Sequence, residues 1–417
     1  MKFHTGQRIL RSLWLFLCFS LTPLGAALAQ WPRHTIDDTL NGADGLRIQR
    51  TNDGGWDLVA GWEESGEVRL YHCGITDRVR SQWQFETVGM TPSCEDALFV
   101  ELYGHRRQIL ACCEGQEQAL WHFRGASEAT NRQRLERDDA RVTWKPTRLV
   151  PDKQGKGTQT RWMTAAAIDR GRIAVASKAP NGLVAMLRWD AELQRSSLKK
   201  LAKASWVMSL KPVDFDSDGD VDIVFSDRKG DHSGVYCLEQ RGTDSWKLHL
   251  LGAAKREVMF LDLVRTGTLG EGAQPSATSD HPIPTKWEVV VATKPNEVLH
   301  IHPNEEGRWR TTPLLEFDQD QFGTAKSVAV ADMDGDGTQD VIYSCEHADE
   351  PKSGLVLARR DAGSWKFDSI SGPEGIKFDD LHLVDLDGDR DLDVLTCEER
   401  HEGRGLGIIW YENCLDN

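Results

Sequence analysis

Short apolar runs rich in Val, Ile and Leu recur along this chain between turns of Gly, Asp and Asn, the pattern of strands paired in hairpins. The clearest pairs flank three near-copies of one acidic phrase. Val328–Val330 and Val341–Tyr343 enclose Asp332, Asp334, Asp336, Thr338 and Asp340. Leu381–Val384 and Val394–Leu395 enclose Asp385, Asp387, Asp389, Asp391 and Asp393, and Asp214, Asp216, Asp218, Asp220 and Asp222 run into Val221–Phe225. Carboxylates at positions 1, 3, 5 and 9 of such a loop, with a backbone carbonyl at position 7, can surround one ion, and hard oxygen ligands in a flexible loop select Ca²⁺. The plainer alternative is an acidic turn that binds no metal.

An EF-hand would need a bidentate Glu at position 12 and a helix on each side; Phe225, Tyr343 and Thr396 stand there instead. An Asp-x-Asp-x-Asp-Gly-x-x-Asp loop entering an apolar strand resembles the FG-GAP or VCBS repeat family, whose repeats are the blades of a seven-bladed β-propeller like that of integrin alpha subunits. Three places carry the resemblance outright. It implies an all-β propeller with Ca²⁺ between the first two strands of a blade, hence up to three ions. The third copy departs from the pattern: Arg390 stands where the others have Gly219 and Gly337. If that position needs positive φ, a non-Gly residue is strained by roughly 1 kcal/mol or more.

The remaining chain supplies the other blades. The interval from Asp214 to Asp332 is twice that from Asp332 to Asp385, so a degenerate blade belongs between the first two, and Leu261–Val264 with Trp287–Ala292 fits it. Upstream lie Ala165–Ile168 with Arg172–Ala176, Leu98–Val100 with Gln108–Ala111, and Gly45–Ile48 with Trp56–Ala60. Seven third strands follow, but only six fourth strands, most of them led by Trp83, Trp144, Trp246, Trp309 or Trp365. The seventh is at the opposite end, where Trp31–Ile36 repeats the fourth-strand pattern. We therefore expect residues 31–38 to complete the last blade and close the ring. The blades are expected near 40–89, 95–150, 160–202, 204–252, 256–317, 323–372 and 375–413, in one domain over 30–417.

Residues 1–29 read as a secretory signal, with Lys2, Arg8 and Arg11 before the apolar Leu13–Leu21 and a small-residue cleavage site at Ala27–Ala29. An exported product, secreted or periplasmic, would meet the millimolar Ca²⁺ that weak extracellular loops require. No later segment is long enough to span a bilayer. The formal charge of −15 becomes −18 without the signal's three basic residues, and the Asp loops account for much of it. Acidity argues against a nucleic-acid partner, whose binders carry basic patches. Of the cysteines, Cys113, Cys345 and Cys397 share a repeat position and read as buried thiols, while Cys73, Cys94 and Cys112 are candidates for one bridge.

No Walker loop, His-Glu-x-x-His or other standard catalytic phrase is present. The turn after each second strand is charged, however: Glu63 with Glu64, Glu114, Lys178, Asp227 with Arg228, Lys294, Glu346 with His347, and Glu398 with Glu399 and Arg400. In a closed ring these turns surround one mouth of the channel. They could serve a sugar-binding or acid/base site, or be polar only because turns are exposed. Trp62 could stack on a sugar or pack as a wedge. Two functions stay open. One is a Ca²⁺-binding module for an extracellular or periplasmic protein or glycan, and the other is a lyase or dehydratase acting on sugars at the mouth. Convergent carboxylates and His with perturbed pKa values would favour the enzyme.

Overall fold

Each second strand of the repeat lies inside a sheet covered on both faces, so it reads as a continuous apolar run; the outermost strands are largely exposed and are marked mainly by tryptophan. The computed structural model describes residues 30–74, 78–102, 107–116, 118–125, 144–149, 160–190, 195–269, 285–304, 306–361, 363–399 and 405–415. The expected signal, Arg400 and most of the insertions near 125–160 and 266–285 lie outside the described residues. Seven four-stranded antiparallel sheets form a seven-bladed β-propeller. Blade one holds residues 43–90, blade two 94–149, blade three 161–203, blade four 207–252, blade five 258–316 and blade six 324–369. Blade seven holds residues 378–411 together with β1 (Arg33–Asp37). No helix among the described residues is long and apolar enough to cross a membrane.

The first strands line the channel: β2 (Ala43–Arg50), β6 (Cys94–Phe99), β10 (Arg161–Asp169), β14 (Val207–Val213), β18 (Val258–Arg265), β22 (Thr324–Ala331) and β26 (Phe378–Val384). Each neighbours the first strand of the next blade, and β26 returns to β2. The core is accordingly a set of apolar layers between blades. The layer between blades seven and one holds Ile36, Leu46, Trp56, Leu58, Leu395, Ile408 and Trp410. Trp62 belongs to it as a wedge, fully buried with its indole N–H donated to the Tyr71 hydroxyl at 2.9 Å.

The ring closes through β1, which pairs antiparallel with β28 (Gly407–Tyr411) in the register Arg33 with Tyr411, His34 with Trp410 and Thr35 with Ile409. His34 stacks on Trp410 and meets Glu412 at 2.8 Å. At the far end of β1, Asp37 is 3% exposed and accepts hydrogen bonds from Arg69 Nη1 and Tyr71 Oη, each at 2.7 Å. Burial opposes its ionisation, yet donors from Tyr71, Thr39 and Arg69 hold its pKa below the usual value. This tie joins the closing strand to blade one.

The cysteine reading is half corrected. Cys113, Cys345 and Cys397 are buried thiols, but Cys73, Cys94 and Cys112 form no bridge. Cys94 lies opposite Cys113 across the ladder, leaving Cys112 on the other face of its strand.

Removing residues 30–38 is expected to expose an edge on blade seven and lower the unfolding temperature, while a chain beginning at residue 30 keeps full stability. Asp37→Ala, which leaves the buried Tyr71 hydroxyl without its acceptor and Arg69 with Glu67 as its remaining carboxylate, should cost about 1–3 kcal/mol in urea unfolding. A loss below about 1 kcal/mol would show that the tie does not hold the closure.

Candidate functional site

Two acidic regions stand out, the Asp loops and one mouth of the channel. The loops join the first and second strands of blades four, six and seven. Within each, carboxylates at positions 3 and 5 accept backbone N–H bonds from two residues on, as Asp216 from Asp218 at 3.1 Å and Asp336 from Thr338 at 2.6 Å. This winds the loop so that Asp214, Asp216 and Asp218 converge, as do Asp332, Asp334 and Asp336, with ligand oxygens within 4.8 Å of one another. In blade seven the convergent set is Asp385, Asp387 and Asp393. Buried oxygens of Asp214 and Asp332 (Oδ1 of each) have no hydrogen-bond partner. An oxygen-only donor set with unpaired buried acceptors suits a hard divalent cation.

Position 9 does more than offer a ligand. Asp222 accepts from Phe215 N–H at 3.0 Å and Gln240 N–H at 2.7 Å, and Asp393 accepts from Leu386 N–H at 2.9 Å and Asn413 N–H at 3.0 Å. Asp340 accepts from Met333 N–H at 3.0 Å. These residues brace the loop from beneath. Burial, reinforced by the neighbouring loop carboxylates, pushes Asp222 and Asp393 up to about 7 and Asp340 to about 6. Asp220, Asp389, Asp391 and Thr338 complete the windings. The third loop departs in its backbone. Arg390 sits at φ +87°, in the region of Gly219 at +94° and Gly337 at +86°, so the strain expected from the sequence is present. At position 3, Asp387 pairs with Arg80, which reaches across from blade one and also meets Glu412, and Asp334 of blade six pairs with Arg359 at 3.2 Å.

The mouth is shaped by a feature repeated in every blade. All seven first strands carry a register break at the same level, opposite the end of the second strand. A bulge turns an extra side chain out of the ladder, and here it points toward the channel. The bulge positions are Gly45, Glu95, Met163, Met208, Met259 with Phe260, Lys326, and Asp379 with Asp380. The bulges of blades six, seven and two thus contribute charge, blade one adds Asp44 beside its glycine bulge, and blades three to five contribute methionine and phenylalanine, joined by Trp206. The cavity is about 240 Å³ and is lined from both the bulges and the turns.

Of the turn residues expected there, Glu63, Glu114, Lys178, Glu346 and Glu399 line the cavity. Lys294 lies beside it in an ion pair with Glu346. His347 stays 72% exposed, with its ring 3.8 Å from Glu346. Two positions are corrected. Asp227 pairs with Val207 and Glu398 with Phe378, the ladder places held by Cys113 and Cys345 in other blades. A slip of one residue reverses the side chain, so both turn away from the mouth. Asp227 accepts the N–H groups of Ser205 and Trp206, and Glu398 those of Ile376, Lys377 and Leu406. Their successors Arg228 and Glu399 face the cavity instead.

Residues missed from the sequence complete the site: Asp44, Glu95, Asp96, Arg47, Lys326, Lys377, Asp379 and Asp380. The available signal was a polar residue breaking the apolar start of a first strand. Beneath the mouth, Arg47 of blade one bridges Asp380 of blade seven at 2.6 Å and Asp96 of blade two at 2.9 Å, and Asp96 accepts from Thr164 of blade three at 2.8 Å. Above that belt, Lys326 pairs with Asp379 at 3.1 Å, Lys377 with Glu399, and Lys178 with Glu114. Glu63 and Glu399 share a hydrogen bond, and so do Glu95 and Glu114. Burial, with like charges nearby, holds Asp44 and Glu95 well above the usual carboxylate range and Glu399 at about 8. Burial and the charge of Arg228 lower Lys294 to about 8. Glu399 and Lys294 can therefore exchange protons near neutrality.

No family model and no curated protein matches the chain. Its fold is similar to that of solved propellers. A structure described as BBS1N in complex with ARL6DN superposes with a TM-score of 0.52 at 11% identity, covering 93% of this chain and 99% of that one. Sqt1 of Saccharomyces cerevisiae superposes with a TM-score of 0.54 at 10% identity, covering 93% of this chain and 100% of that one. At such identities the likeness is one of fold, and this chain is a seven-bladed β-propeller.

Proposed function

We propose that this propeller is an exported, calcium-loaded interaction module of FG-GAP/VCBS type that presents its charged mouth to a protein or glycan outside the cytoplasm. The observation that carries the metal assignment is the pair of buried, unpartnered oxygens on Asp214 and Asp332, each inside a loop whose carboxylates already converge. In blade four, Asp214, Asp216 and Asp218 would hold the ion with Asp222 bracing it; in blade six, Asp332, Asp334 and Asp336 with Asp340. Arg359 beside Asp334 and Arg80 beside Asp387 each offset one loop carboxylate, and blade seven is the weakest of the three because Arg390 also holds a positive φ there without glycine. Bound Ca²⁺ supplies neutralisation and rigidity. The interaction role is supported by the fold and by a mouth that is charged on one side and apolar on the other. The BBS1 propeller offers an analogy, since it was crystallised with a protein partner.

A second reading is favoured by one observation, the proton-exchanging groups gathered at the mouth. A lyase acting on an acidic sugar needs a base to take the proton next to the sugar carboxylate and a cation to offset the charge that develops. Glu399 beside Lys377 provides both kinds of group. Among the described residues histidine does not converge with them, as His347 stays outside the cavity.

Thermal unfolding with Ca²⁺, Mg²⁺ or chelator should show a Ca²⁺-selective rise in melting temperature, with the chelated ring still folded at room temperature. Each site is expected to contribute roughly 3–4 kcal/mol at 100 to 1,000 times its dissociation constant. Asp216→Ala and Asp334→Ala should each remove part of that rise, and Asp387→Ala the least. Identical melting curves in all three buffers would sink the calcium assignment.

Incubation with a panel of acidic polysaccharides separates the two readings. Saturable binding without the ultraviolet absorbance of an unsaturated product supports the module. Product formation that is lost in Glu399→Gln would replace it with the lyase.

A further inference from the structure

The carboxylate oxygens of Asp44, Glu63 and Glu399 lie within 4.8 Å of one another at the mouth, at the opposite end of the second strands from the Asp loops. Crowding alone would not make a site, but Asp44 adds an independent feature. Its side chain is 9% exposed and lines the cavity, and among the described residues no donor reaches its carboxylate by hydrogen bond or ion pair. Asp379 beside it pairs one oxygen with Lys326 and keeps the other, Oδ1, buried and unpartnered. A buried acceptor without a donor costs about 1–3 kcal/mol, and more for a charged group, a cost that Asp379 Oδ1 carries beside the cluster and that a ligand at the mouth would lower.

The local charge balance narrows that ligand. Fully ionised, Asp44, Glu63, Glu399 and Asp379 face only Lys326 and Lys377 as ion-pair partners, an excess of two negative charges. That excess is met either by protons, as in the hydrogen bond between Glu63 and Glu399, or by a cation within reach of the three converging carboxylates. The donors are all carboxylate oxygens, with no imidazole or thiolate among them, and such sets take Mg²⁺, Ca²⁺ or Mn²⁺ in preference to softer metals.

We propose that Asp44, Glu63 and Glu399 form a hard divalent-cation site at the channel mouth, separate from the Asp loops. Asp44 and Glu63 come from blade one and Glu399 from blade seven, so the ion joins the two blades across the ring's closing seam.

The test is a metal count by mass spectrometry on folded full-length protein, stripped with chelator and then dialysed separately against Ca²⁺, Mg²⁺ and Mn²⁺. Asp44→Asn is expected to lose one ion per chain relative to wild type in at least one of these metals. Asp216→Ala serves as the independent loop control, and the double variant should lose both ions if the loop site is also real. A loss in Asp44→Asn without one in Asp216→Ala upholds the mouth site and rejects the blade-four loop. Should Asp44→Asn fail to fold by circular dichroism, Glu63→Gln, at a partly exposed position, is read in the same way. An unchanged count in a folded mouth variant with all three metals overturns the proposal.

Discussion

Everything in this molecule depends on closing a ring of sheets whose last member lacks a strand of its own. Pairing β1 with β28 covers the bare edge of blade seven, and the buried Asp37–Arg69 tie fastens that pair to blade one. An open edge would leave backbone donors and acceptors unpaired and let the first and last blades drift apart. The mouth needs that rigidity, because its side chains come from blades distant in sequence. The Arg47 belt works at the same level, holding blades seven, one, two and, through Asp96, three in one network.

The same physical theme recurs at the loops and at the mouth: carboxylates gathered more closely than their own repulsion favours, in places with limited access to water. At the mouth, lysines from neighbouring blades interleave with the acids and relieve part of that repulsion. In the loops, backbone N–H groups provide part of the relief, and in blades six and seven Arg359 and Arg80 each add a guanidinium. One chain thus uses three means of balancing negative charge, and only the acidic phrases were visible as a motif.

The ring was legible because each blade repeats its apolar second strand and because an orphan fourth-strand pattern at Trp31–Ile36 matched a vacancy at the other end. The mouth was half legible. Glu63, Glu114, Lys178, Glu346 and Glu399 could be placed by counting from the second strands. Asp227 and Glu398 could not, since the ladder register sets them one place earlier than the apolar pattern suggested. The inner residues Asp44, Glu95, Lys326 and Asp379 were hidden for a related reason. They sit at or beside bulges, where the alternation that sequence reading relies upon is interrupted. Repeated bulges are invisible as composition, although they decide what the mouth presents.

Closure by the earliest strand also sets the order of events when the chain folds. Arg33 must wait for Tyr411, so the last ladder cannot form until nearly the whole polypeptide is available. Joining ends separated by several hundred residues costs about 5 kcal/mol in chain entropy beyond a constant. Such long-range pairing places this fold among the slow ones. Until that moment the nascent molecule carries two unsatisfied sheet edges, the condition under which chains associate with one another. The vulnerable species is therefore the almost finished propeller, six blades built and the seventh still short of a strand.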